Sequence, residues 1–107
     1  MAKKLKHDAK VKEEAKKFLA KVPEECVFWC HDGRIFRDMQ ELAEALGNMT
    51  DETFAYHSNG EKKDFSQWVG DIIGDAKLAK DLENVLDRNQ AAGFVVDRIT
   101  ILTQTSA

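Results

Sequence analysis

Cys26, Cys30, His31 and His57 are the side chains of this 107-residue chain best suited to holding a metal. Structural zinc sites space cysteines two to four apart and gather four ligands. Cys26 and Cys30 meet that spacing loosely, but adjacent residues such as Cys30 and His31 point to opposite faces of a strand. No metal site is expected from this set, and two structural thiols are the simpler reading. A cysteine nucleophile would need a neighbouring base, and nothing in the spacing brings His31 or His57 to a thiol. A second set, Tyr56, His57, Asp64 and Trp68, flanks the polar loop 58–63. A histidine beside a carboxylate makes an acid–base pair. The plainer expectation is that Asp64 caps a helix, Trp68 fills the core and His57 donates a hydrogen bond at a helix end, where its charge suits the dipole. These four are carried forward as a candidate binding surface. Asp32, Asp71 and Asp75 lack the spacing of a calcium loop. The chain contains no glycine-rich phosphate loop, no Gly-x-Ser-x-Gly elbow and no His-Glu-x-x-His. No catalytic residue, metal or cofactor is assigned.

The elements that must position these residues read as mainly helical. An Ala-, Lys- and Glu-rich segment, 2–21, carries Val11, Ala15, Phe18 and Val22 in one narrow apolar seam, and Pro23 ends it. Two apolar runs, 26–30 and 34–36, flank Asp32-Gly33, a dipeptide suited to a hairpin turn. Val27 and Trp29 should face one way, and Cys26, Phe28 and Cys30 the other. Helices are expected near 39–47, 51–57, 65–73, 76–86 and 88–103. Asp38 with Glu41, Asp64 with Gln67 and Asp87 with Gln90 have capping-box spacing. Thr50 is a further cap, with Met49 and Phe54 as its hydrophobic staple. Gly74 and Asp75 read as a helix stop followed by a new cap. Leu78, Leu82, Val85 and Leu86 form an apolar stripe, and Ala92, Val95, Ile99 and Leu102 form a seam to pair with the first helix. The β-branched run 99–103 also suits a strand, and cap and seam favour helix. The fold class expected is α+β, mainly α: an N-terminal helix, one β-hairpin and about five short helices in a single domain over 1–107.

Charge is unevenly spread. Residues 1–21 hold eight lysines against Asp8, Glu13 and Glu14, a net +5, while the remaining 86 hold 8 basic and 16 acidic residues, a net −8. Lys3, Lys4, Lys6 and Lys10 are therefore candidate binding residues on a basic arm, with 1–10 mobile. The acidic body disfavours nucleic acid as main partner, because phosphate contacts dominate that affinity. No apolar run reaches the ~20 residues of a membrane span, and the lysine-rich start lacks the apolar stretch of a secretory signal. If Cys26 and Cys30 share a strand they stand roughly 13 Å apart, too far for a disulfide. Unpaired thiols suit the cytoplasm.

Asp32-Gly33-Arg34, Phe54 with His57, Asp64-Phe65 with Trp68-Val69, and Gly74-Asp75 with Leu78-Ala79 together resemble the pattern of a small domain family of unknown function, found mainly in archaea and also in bacteria. Arg88 and the Arg98-Ile99 pair also look like that family's C-terminal helix. The likeness covers roughly 24–102. The chain departs from the pattern at Lys63, where Asn is expected, and at Ser58, where an apolar residue is expected. The resemblance implies a fold and no activity. The expected function is a non-enzymatic protein-interaction module with another protein as partner. The alternatives are a nucleic-acid-associated protein using the lysine helix and, more weakly, a small enzyme using His57 and Asp64.

Overall fold

The computed structural model describes the backbone from residue 2 to 107 and the side chains from residue 9 onward. The expectations for Lys3, Lys4 and Lys6, and for a mobile arm over 1–10, concern side chains that lie outside the described residues, apart from Lys10. The chain folds as an α+β body, mainly α, with a two-stranded antiparallel hairpin among the described residues. In order the elements are α1 (Ala2–Leu19), a 3₁₀ turn (Glu24–Cys26), β1 (Phe28–Trp29), β2 (Ile35–Phe36), α2 (Met39–Asn48), α3 (Asp51–His57), α4 (Asp64–Trp68), a π turn (Val69–Ile73), α5 (Ala76–Glu83) and α6 (Arg88–Ser106). No described helix is long and apolar enough to cross a membrane.

Local cap chemistry sets most of these boundaries. Asp38, Thr50, Asp75 and Asp87 each accept the backbone N–H three residues on, as expected. The reciprocal bonds of the two acidic boxes reach one residue further back than the motif requires: Glu41 accepts from the Arg37 N–H, and Gln90 from the Leu86 N–H. Asp64 does not follow this rule. It is the first residue of α4 rather than its cap, Lys63 holds the cap position without a side-chain bond, and the Asp64 carboxylate is used elsewhere.

The hairpin pairs Phe28 with Phe36 and Trp29 with Ile35. Period-two alternation buries Phe28 and Cys30 and leaves Trp29 72% exposed. The connecting loop is three residues, 31–33, closed by bonds from the Cys30 N–H to the Arg34 carbonyl and from the Gly33 N–H to the Cys30 carbonyl. Only Gly33, at φ +94°, takes the left-handed conformation that such a loop needs. Inside, Phe28 stacks on Phe36 at 4.8 Å and on Phe65 at 5.3 Å, and Trp68 meets Phe28 edge-on at 5.9 Å. The Trp68 indole N–H donates to the Cys26 carbonyl at 2.9 Å, so the ring is core and its polar atom is satisfied.

Two expected helices change shape. The segment read as one helix over 65–73 is α-helical only to Trp68 and then widens into the π turn. The wide turn swings Ile72 outward while Ile73 stays buried. Gly70 lies so close to α5 that a Cβ there would meet the Ala79 Cβ at 3.2 Å. The next helix ends at Glu83 rather than 86, and the Lys63 ammonium donates to the freed Glu83 carbonyl at 2.7 Å. Leu86, expected on the apolar stripe, is consequently 87% exposed. At the far end α6 packs along α1 and α2, with Ala91, Val95 and Leu102 fully inside and Ala92 and Ile99 partly so. Residues 99–103 are helical: packing against two helices overrides their β preference. In α1, Ala15 is buried and Phe18 lies against the core, but Val11 is exposed.

Candidate functional site

Three chain segments meet at His57. It ends α3, its ring is only 4% exposed, and it sits against Phe28 at 5.1 Å and Phe65 at 5.3 Å. The His31 backbone N–H, at the hairpin tip, points at Nε2 from 2.9 Å. A backbone N–H can only donate, so Nε2 must present its lone pair. The neutral ring then carries its proton on Nδ1, which donates to Asp64 Oδ2 at 2.9 Å. The tautomer is assigned by the neighbours on both sides. His57 therefore donates a hydrogen bond as expected from the sequence, but as a buried neutral clamp joining α3, the hairpin tip and α4, not as a cation at a helix end.

In this geometry both ring nitrogens of His57 are bonded within the protein. A general base needs a lone pair aimed at substrate, and the one on Nε2 is committed to the protein's own backbone. A groove of about 290 Å³ is lined by Phe28, Asp64, Gln67, Trp68, Asp71 and Ile72, and His57 is not among its lining residues. Among the described residues no three His, Cys, Asp or Glu side chains gather as a metal would need.

Outside this clamp lies an aromatic surface. Tyr56, 47% exposed, stacks on His31 with ring centroids 3.9 Å apart and planes 14° from parallel. Lys62 Nζ lies 4.0 Å from the Tyr56 centroid, and since His31 covers one face, the ammonium covers the other. Lys62 also reaches Asp64 Oδ2 at 3.4 Å, and Arg34 pairs with Asp32 at 3.2 Å. The structure thus unites Tyr56, His57 and Asp64 in one network and adds His31 and Lys62. It puts Trp68 in the core behind them, with Lys10 exposed on the separate helix α1. Reasoning from spacing raised His31 only as a metal ligand or base, and raised neither Trp29 nor Lys62 as a site. The available signal was alternation along β1, which places Trp29 opposite Phe28.

Both cysteines are free, Cys30 buried and Cys26 partly so. Burial pushes the Cys30 thiol above its ordinary value, and the Asp32 carboxylate adds to the rise. Burial alone would raise Asp32 as well, but the Arg34 amide, the Cys30 thiol and the Arg34 guanidinium hold its carboxyl below the usual range. The signs are opposite. Cys30 favours the fold below the ordinary thiol range and loses that contribution as pH rises through its raised value. Asp32 favours it above the ordinary carboxylate range and loses that as pH falls. A thiol held protonated is a poor nucleophile. At neutral pH an alkylating reagent should label Cys26 before Cys30 in the native chain, read by peptide mass mapping. Faster labelling at Cys30 would contradict the shielding.

Asp64 offers a sharper test, because a cap and an anchor respond to different replacements. Asp64→Ala should cost about 1–3 kcal/mol, the penalty for stranding a buried donor. Asp64→Asn, whose oxygen still reaches His57 Nδ1, should recover much of that in urea melts. Asp64→Ser, an equally good cap residue but too short to reach His57, should not. Recovery by Ser as full as by Asn would restore the capping role.

Set against protein-family models, curated proteins and solved structures, the chain matches none of them.

Proposed function

We propose that this chain is a non-enzymatic protein-interaction module whose binding face is the outer side of the hairpin, centred on Trp29, with the stacked His31 and Tyr56 at the adjoining turn. The observation that carries the reading is the exposure of Trp29, at 72%, on a strand whose next-door residues are buried. A large aromatic left in water forgoes the stabilisation that its burial would bring. Tryptophan and tyrosine are also the residues that dominate protein–protein hot spots. Charge supports a protein over a nucleic acid at this face: Arg34 is matched by Asp32 and Lys62 by Asp64, leaving little excess to neutralise phosphate. The engaged nitrogens of His57 speak against acid–base chemistry with Asp64. Two unlinked thiols fit a cytoplasmic home.

A photo-activated cross-linking residue placed at position 29, expressed in the source cell, tests this. The expected product is one discrete polypeptide adduct that unlabelled chain competes away. Adducts to nucleic acid alone, or none, would overturn it.

A second reading, nucleic-acid association through α1, is favoured by one observation: Lys10 and Lys12 are both exposed on that helix. Affinity falling steeply with salt would be its mark.

A further inference from the structure

We propose that the free edge of β2 takes up a short, basic, extended segment of a partner protein as a third strand. This names the partner of the outer hairpin face, and so rests on the reading of that face as a binding surface.

In an antiparallel ladder, opposed residues alternate between pairs that bond to each other and pairs whose N–H and C=O groups point outward. The Cys30 N–H bonds to the Arg34 carbonyl, so the next pair, Trp29 with Ile35, is of the outward kind. Ile35 therefore turns both main-chain groups to the free edge of β2. The flanking amides of Arg34 and Arg37 bond to Asp32 and Glu41, whereas no described residue bonds to either group of Ile35. The same edge already holds main chain two residues further on, where the Arg37 carbonyl accepts from the Val22 N–H at 2.7 Å. That segment fills one end of the edge and leaves the Ile35 end open. Such an edge is a template for another strand. The edge of β1 is closed on both sides of Trp29 by the body itself, with His57 on the His31 N–H and Trp68 on the Cys26 carbonyl.

Beside Ile35 lies a slot of about 320 Å³, walled by Ile35 and Phe36 on one side and by Glu41, Glu44 and Ala45 of α2 on the other. Charge selects its occupant. Arg34 is paired with Asp32, and Glu41 is shared between Arg37 and Lys21. Glu44 is exposed, accepts from the Gln40 amide at 3.4 Å and forms no ion pair with a described residue. The charge left over is negative and suits Lys or Arg. A second copy is the wrong occupant, because like edges meeting about a two-fold axis would bring two Glu44 carboxylates to one slot. By the period of two, a partner side chain opposite Ile35 emerges on the outer face with Ile35 and Trp29, and its neighbours point the other way, toward α2. The segment expected alternates basic and apolar residues.

The probe is the capped peptide acetyl-Lys-Val-Lys-Val-Lys-amide, titrated into the full chain at low salt and followed by amide NMR. It should bind with a Kd of about 1 mM, shift the Ile35 and Glu44 amides, and slow exchange of the Ile35 N–H at least about twofold. The same peptide methylated on its valine nitrogens keeps its charge but cannot donate to the Ile35 carbonyl, and should not bind. Glu44→Lys, at an exposed position, should weaken the unmodified peptide at least about threefold and favour a version with Glu in place of Lys. An Ile35 amide that the lysine peptide leaves unchanged, or equal binding by the methylated or the glutamate peptide to the parent chain, would overturn the proposal. So would an Ile35 amide whose protection without peptide rises with protein concentration, which would give the edge to a second copy. A failed peptide alongside a partner still cross-linked at position 29 would remove the third strand and leave the Trp29 face standing.

Discussion

Replacing Arg98 by methionine should destabilise the fold by about 3–5 kcal/mol, the cost of stranding one partner of a buried ion pair. Asp75 is 1% exposed, and Arg98 grips it with both ends of its fork, Nε to Oδ2 at 2.7 Å and Nη2 to Oδ1 at 3.1 Å. The same carboxylate caps α5 through the Leu78 N–H at 3.2 Å. One side chain thus fixes the start of α5, the turn at Gly74 and the middle of α6. Methionine keeps the apolar stem of arginine and removes the guanidinium with its charge and donors. Adding Asp75→Asn to that variant should recover part of the loss, because asparagine still caps and no longer buries an unpaired charge. Urea melts with unchanged slope would read the difference as stability alone. A loss below about 1 kcal/mol for Arg98→Met would mean that the carboxylate finds other partners or water.

The second large effect is expected at His57. His57→Leu should cost about 1–3 kcal/mol, because it strands the His31 N–H and takes one partner from the Asp64 carboxylate, which keeps Lys62. His57→Gln should recover part of this, since its amide carries one acceptor and one donor. Amide exchange at His31 should report the same order, slowest in the parent, then Gln, then Leu. If Gln is no better than Leu, the ring's packing against Phe28 and Phe65 matters more than its two hydrogen bonds.

What could be read from the sequence was local. Asp38, Thr50, Asp75 and Asp87 declare themselves because a cap bonds three residues away, within one turn. Asp64 has the same spacing to Gln67 and still behaves differently, since a buried imidazole seven residues earlier competes for its carboxylate. The pairs that lock the fold are non-local: Asp75 with Arg98, Trp68 with the Cys26 carbonyl, Arg88 with the Leu46 carbonyl at 2.9 Å. No periodicity encodes them. The hairpin shows the limit most clearly. Alternation put Trp29 and Phe28 on opposite faces, but both faces are apolar, and only the aromatic cluster of Phe36, Phe65 and Trp68 decides which turns inward. Of the candidate site, Tyr56, His57 and Asp64 were legible as neighbours along the chain; that His57 closes onto the hairpin tip was not.

Trp29→Ser tests the central claim most directly, with stability and partner capture measured on the same protein. An exposed side chain that serves binding contributes little to the fold, so the unfolding free energy should stay within about 0.5 kcal/mol of the parent. Capture of the cross-linked partner should be lost, as expected for a hot-spot aromatic worth about 2 kcal/mol or more. A chain that melts early and still captures its partner would contradict the account: Trp29 would then be part of the scaffold, and the binding face would lie elsewhere.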